Sequence, residues 1–121
     1  MGKKILVVED ESQMVEVLKM RLEAHGYEVI TADNGQDGLE KAKKEKPDLI
    51  IMDLMLPKMN GYKACGLLKS DARYAKIPIV IFTARAQEED LKLGEELGAE
   101  VYITKPFEPQ ALLSKIRELL K

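Results

Sequence analysis

Four short oily runs in this 121-residue chain end on residues that can do chemistry. "KILVV" (Lys4–Val8) leads into Glu9, Asp10 and Glu11, and "DLIIM" (Asp48–Met52) leads into Asp53. "PIVIF" (Pro78–Phe82) is followed by Thr83, and "EVYIT" (Glu100–Thr104) by Lys105 and Pro106. Carboxylates brought together repel one another, so at least one should have a raised pKa unless a cation is present. Oxygen ligands without histidine or thiolate select a hard ion such as Mg2+, which takes one or two carboxylates, keeps waters and accepts phosphate oxygens. With a hydroxyl and an ammonium alongside, the set suits phosphoryl chemistry: the metal and Lys105 screen charge while Asp53 attacks phosphorus. Each residue alone has a plainer reading. A strand-end Asp is usually a cap or turn residue, Glu9 to Ser12 reads as a helix start, Thr83 as a cap and Lys105 as a surface lysine. The weight lies in their coincidence at the ends of four runs.

The elements that must bring them together alternate. A fifth β-rich run, "EVITA" (Glu28–Ala32), joins the four above, and segments of helical spacing separate all five. In the first, Met14, Val15, Leu18 and Leu22 share one face, and His25-Gly26 supplies a stop suited to the left-handed cap position. Further helices are expected at about Gln36–Lys44, Gly61–Lys69, Glu88–Leu97 and Pro109–Leu120, with Pro109 suited to a first turn and Gly98 a stop before the fifth strand. Five alternations predict an α/β domain: a doubly wound, five-stranded parallel sheet covered on both faces. The aliphatic first, third and fourth strands fit central places, and the more polar "EVITA" an edge. Ligands of such sheets sit beyond the carboxyl ends of the strands, where the acids, Thr83 and Lys105 would converge.

Composition narrows the functions. There are 19 basic and 21 acidic residues for a net charge of −2, which leaves no electrostatic footprint for nucleic acid. The one basic run, "KAKKEK" (Lys41–Lys46), is interrupted by Glu45 and reads as a solvated helix end. Cys65 is the sole cysteine, so neither a disulfide framework nor a thiolate metal cluster is expected. No apolar run reaches the ~18 residues that span a bilayer, and "MGKKILVV" is too short for a signal peptide. A single domain over residues 1–121 in a reducing compartment, the cytoplasm, is the expectation. His25 is a lone histidine at a helix end, read as a cap and not a phospho-carrier. Cys65 reads as a packing residue, and Met14, Met20, Met52, Met55 and Met59 as core and loop filling.

Four blocks, "VVEDE" (Val7–Glu11), "DLIIMDLMLPKMNGY" (Asp48–Tyr62), "IPIVIFTARA" (Ile77–Ala86) and "GAEVYITKPF" (Gly98–Phe107), closely resemble the receiver domains of two-component response regulators. They stand in the family's order and at its separations, and the resemblance covers essentially the whole chain. The resemblance implies the flavodoxin-like (βα)5 fold with strand order 2-1-3-4-5. It implies that Asp53 accepts a phosphoryl group from a histidine kinase or phosphotransfer protein. Asp10 would ligate Mg2+ directly (Mn2+ is the substitute expected), Glu9 would act through water, and Met55 would offer its backbone carbonyl. Thr83 and Lys105 would bind phosphoryl oxygens, with Lys105-Pro106 as the family's cis peptide. Tyr102 matches an aromatic position that swings inward as Thr83 moves toward the new oxygens. The face of the fourth helix, fifth strand and fifth helix would then alter and control an output partner, by a shift between two packings.

Rival readings fail on particular residues. A haloacid-dehalogenase-like phosphatase also places a nucleophilic Asp after a strand, but it needs a second Asp two residues on as general acid, and Met55 stands there. A flavin-binding module needs a neutral hydroxyl-rich phosphate loop after the first strand, where this chain has "EDES". A degenerate, unphosphorylated relative would have lost an acid, the Thr or the Lys. Leu91 and Val101 replace the charges of regulators that dimerise by ion pairs and offer an apolar face. Of two readings, a stand-alone regulator docking onto another protein and the receiver of a longer chain, the first is therefore preferred, as a monomer that forms at most a weak dimer.

Overall fold

The computed structural model describes residues 2–54, 56, 58–83, 98–104 and 108–120, and for Thr83 and Thr104 the backbone. Ile5, Leu6, Val7 and Val8 are all fully buried, as are Leu49, Ile50, Ile51 and Met52, and Ile79 to Phe82. A strand with no exposed side must be covered on both faces, which is how these runs are used. They form β1 (Lys4–Val8), β3 (Leu49–Met52) and β4 (Ile79–Thr83), while β2 (Glu28–Ala32) and β5 (Val101–Thr104) are only partly buried and flank them. The sheet is parallel throughout, in the order β2-β1-β3-β4-β5.

Alternate side chains of each central strand build two cores. Leu6, Val8, Ile50, Met52, Ile79 and Ile81 pack with Leu39 and Ala42 of helix α2 (Gly35–Glu45) and Ala64, Cys65 and Leu68 of α3 (Gly61–Lys69). Ile5, Val7, Leu49, Ile51, Val80 and Phe82 pack with Leu18 and Leu22 of α1 (Ser12–Ala24) and with Leu112, Leu113 and Ile116 of the C-terminal helix (Pro109–Leu119). Because β1 has β2 on one side and β3 on the other, the chain reverses direction across β1. The crevice of this switch point opens beyond the ends of β1 and β3.

Most element ends match the sequence expectations to within a residue or two. Gly26 has φ +87° after the cap residue His25, whose Nδ1 lies 2.9 Å from the Arg21 carbonyl oxygen, and Gly98 has φ +89° before β5. Pro109 opens the C-terminal helix. The helix expected at Glu88–Leu97 lies outside the described residues, as does Leu91. One expectation is corrected. Met20 is not filler: it is 70% exposed on α1, off the buried Leu18–Leu22 face. Val101 is partly buried, packing against the core shared with α1 and the C-terminal helix.

Candidate metal centre

The site begins with backbone pairing. Val8 and Met52 are register partners, and the amide of Asp53 donates to the Val8 carbonyl at 3.0 Å, which extends the ladder one residue beyond the strand. On the other side the amide of Glu9 donates to the Ala32 carbonyl of β2, also at 3.0 Å. Both residues are therefore held as extensions of central strands. Their carboxylates inherit the rigidity of the sheet.

The structure brings Glu9, Asp10 and Asp53 together: one carboxylate oxygen from each lies within 4.8 Å of the other two. Glu9 is 1% and Asp53 5% exposed, whereas Asp10 faces solvent. The reading of these acids as helix-capping residues fails on geometry. Glu11 occupies the N-cap position of α1 without a side-chain cap hydrogen bond, and no acid lies in that helix's first turn. An open recess of about 480 Å³ lies beside Glu9 and Asp10, bounded by Asp33, Asp37 and Lys41 toward β2 and α2, and does not extend over Asp53.

Whether a magnesium ion fits can be judged from donors and span. All three donors are hard oxygens, which exclude a soft-metal preference. Oxygens around an octahedral Mg2+ are about 3 Å apart when adjacent and about 4 Å when opposite. Any three octahedral positions include two adjacent pairs, so a set spanning at most 4.8 Å must close by up to about 2 Å to ligate one ion directly, and by less where one carboxylate acts through water. The residues fit the ion.

Of the other expected participants, Thr83 ends β4 with its backbone paired to Thr104 of β5, on the same edge of the sheet as Asp53. Met55, Lys105 and Pro106 lie outside the described residues. Tyr102 is the register partner of Ile81 and is half-buried against the core on the α2–α3 side. His25 and Cys65 are excluded from the site by position: His25 ends α1 at the opposite edge of the sheet, and Cys65 lies on the core-facing side of α3, wholly buried.

Sequence reasoning missed the residues that aim the segment after Asp53. Asn34 and Asn60 cap α2 and α3, their side-chain oxygens accepting from the amides of Asp37 at 2.8 Å and Lys63 at 2.9 Å. Each is followed by a glycine that opens its helix. The repeated Asn-Gly pair was the available signal, but the same dipeptide also marks tight turns.

Comparison with known proteins agrees with the geometry. The family model for the response regulator receiver domain matches residues 5–117. The alkaline phosphatase synthesis transcriptional regulatory protein PhoP of Bacillus subtilis is 46% identical over 121 residues, covering 100% of this chain and 50% of that protein. The chain thus spans about half the length of that regulator. A CheY-like response regulator receiver domain protein from Methanospirillum hungatei superposes with a TM-score of 0.93 at 32% identity, over 99% of this chain and 94% of that one. The receiver domain of a sensor histidine kinase from Pseudomonas aeruginosa, solved with a magnesium ion coordinated in its active-site cleft, superposes with a TM-score of 0.91 at 28% identity, over 99% and 98%. The haloacid-dehalogenase-like reading gains no support from these relatives. By sequence, by topology and by its acidic crevice, the chain belongs to the response regulator receiver domains of two-component signalling.

Proposed function

We propose that this domain, taken as residues 1–121, is a phosphorylation-driven switch in which Asp53 is the acceptor. The observation that carries the reading is the convergence of Glu9, Asp10 and Asp53 within 4.8 Å at the switch point of the sheet. Asp10 ligates a divalent cation directly and Glu9 acts through water, with the Met55 carbonyl as a further donor. Mg2+ is the expected ion and Mn2+ a substitute. When bound, the cation neutralises charge on the transferring phosphoryl oxygens and allows three carboxylates to stay ionised together.

Asp53 is the nucleophile. One of its carboxylate oxygens forms a bond to phosphorus as the bond from phosphorus to the donor breaks. With a phosphohistidine donor the departing imidazole nitrogen keeps the electron pair and takes up a proton. The low exposure of Asp53 limits water in line with phosphorus, and the strand-end hydrogen bond to Val8 keeps the carboxylate aimed. Lys105 places its ammonium against the phosphoryl oxygens, aimed by a cis Lys105-Pro106 peptide, and Thr83 donates its hydroxyl to them. The modification adds close to two negative charges. As Thr83 moves toward them, Tyr102 swings into the space it leaves, which alters the face around β5 and the C-terminal helix that an output partner reads.

The partners are a histidine kinase or phosphotransfer protein upstream and an output protein or domain downstream, with no direct contact to nucleic acid. No helix among the described residues is long and apolar enough to cross a membrane. We place the domain in the cytoplasm, as a monomer. Incubation with acetyl phosphate tests the reading: intact mass should rise by about 80 Da only when Mg2+ is present, and not at all in Asp53→Asn. Equal uptake without metal, or by the Asn variant, would refute it.

A further inference from the structure

Two glycines that carry no reacting group, Gly35 and Gly38, face the site from the first turn of α2. A Cβ on Gly35 would overlap the carbonyl oxygen of Met59 in the segment after Asp53, and would also lie 3.0 Å from the Met59 side chain. A Cβ on Gly38 would lie 2.8 Å from both methyls of Val8, the residue that delivers Glu9 and Asp10. Gly61 makes the third such approach. A Cβ there would overlap the Asp53 carbonyl oxygen and come 2.9 Å from the Leu54 Cα, while its amide donates to the Leu54 carbonyl at 3.1 Å.

These approaches close a ring. Val8 accepts from the Asp53 amide, and Asp53 backs onto Gly61. The segment from Gly61 returns through Asn60 to Met59, which rests on Gly35, and α2 returns through Gly38 to Val8. The two acid-bearing segments are therefore joined directly at Val8–Asp53 and again through α2. Asn34, 95% buried, holds the start of α2 by capping Asp37 and by donating its amide to the Asp33 carboxylate at 2.8 Å. Backbone carbonyls cannot rotate away as side chains can, so a methyl group on Gly35 must push either α2 or the Met59 segment outward.

We propose that Gly35, assisted by Gly38, is a positioning residue: the first turn of α2 is a spacer that sets the separation between the Glu9–Asp10 segment and the segment after Asp53, and thereby the affinity of the acid trio for Mg2+. This rests on the reading of the trio as a magnesium site. A change of several tenths of an ångström matters because a small octahedral ion tolerates little misplacement of its ligands.

The test is calorimetric titration of the full 121-residue chain with MgCl2, beside thermal unfolding followed by circular dichroism. Gly35→Ala is expected to weaken Mg2+ binding at least tenfold in a chain that remains folded. Gly26→Ala is the control for stability alone. Its φ of +87° makes alanine strained, yet nothing lies within 4 Å of the added Cβ. That variant should melt earlier and bind Mg2+ as wild type does. Gly38→Ala, which meets only side-chain methyls, should weaken binding about threefold and recover when Val8→Ala is added. Wild-type affinity in a folded Gly35→Ala chain would overturn the spacer role and leave the magnesium site standing. Unfolding of both Gly35→Ala and Gly38→Ala would assign the glycines to stability and overturn it too. Absence of Mg2+ uptake by the wild type would overturn the site and the spacer together.

Discussion

Asp10 is the exposed member of a trio whose other two carboxylates are buried, and that asymmetry decides what a substitution there does. Without metal, its charge repels two neighbours that cannot turn away into water. Asp10→Asn should therefore stabilise the metal-free domain by about 1 kcal/mol, a figure discounted for Asp10's exposure, and urea titration in EDTA checks it. The same variant should lose its Mg2+ response. Cys65 makes the contrasting case of a titratable group with no part in the site. Burial, aided by the Glu100 charge and opposed by Lys69, pushes its thiol up from 9.0 to about 11. A raised thiol pKa favours folding below pH 9, and that contribution is lost as pH climbs from 9 toward about 11, where the unfolded thiol ionises first. At pH 8 a thiol reagent should react only at the rate of unfolding, and immediate labelling of the native chain would contradict the burial. Position two after Asp53, the proposed acceptor, holds Met55, whose side chain cannot orient water by hydrogen bonding. Loss of the phosphoryl group after donor removal should be slow, measured in minutes or longer and not seconds.

Elements differ in how far local sequence announces them. β1, β3 and β4 are legible because strands covered on both faces must be aliphatic on every residue, and α1 because His25-Gly26 punctuates it. α2 and α3 start one residue after an asparagine whose function shows only when its side chain is seen to reach the third amide onward. Asn34→Ala and Asn60→Ala should each cost about 1 kcal/mol in denaturant unfolding. α2 also ends unusually: its cap residue Lys46 has φ +46° immediately before Pro47, a left-handed conformation that a lysine adopts under strain. Lys46→Gly should raise stability by about 0.5–1 kcal/mol, where the same change in a helix interior would lower it. Helical periodicity correctly grouped Leu18 and Leu22, yet it could not tell that Met20 points to solvent, since methionine is equally at home in a core. The approach of Gly35 to Met59 joins residues far apart in sequence. No local pattern encodes it.

On the scale of the molecule, two cores fix the sheet and leave Glu9, Asp10 and Asp53 together just past the ends of its central strands. The residues alone narrowed the topology to the doubly wound class, and strand order followed from family resemblance, because patterning says which strands are central and not which are neighbours. The convergence of Glu9, Asp10 and Asp53 was legible for the same reason: any residue just past a central parallel strand must arrive at that edge. Cation uptake should therefore be felt by the whole fold. At a free Mg2+ concentration one hundred times Kd, global stability should rise by about 2.7 kcal/mol, and the rise should be absent in Asp10→Asn. The most direct measurement is where the phosphoryl group goes. After treatment with acetyl phosphate and Mg2+, tandem mass spectrometry of the digested chain should find a single modified residue, Asp53, carrying a hydroxylamine-sensitive acyl phosphate. Modification of Asp10, Glu9 or His25 in its place, or none at all, would contradict the account.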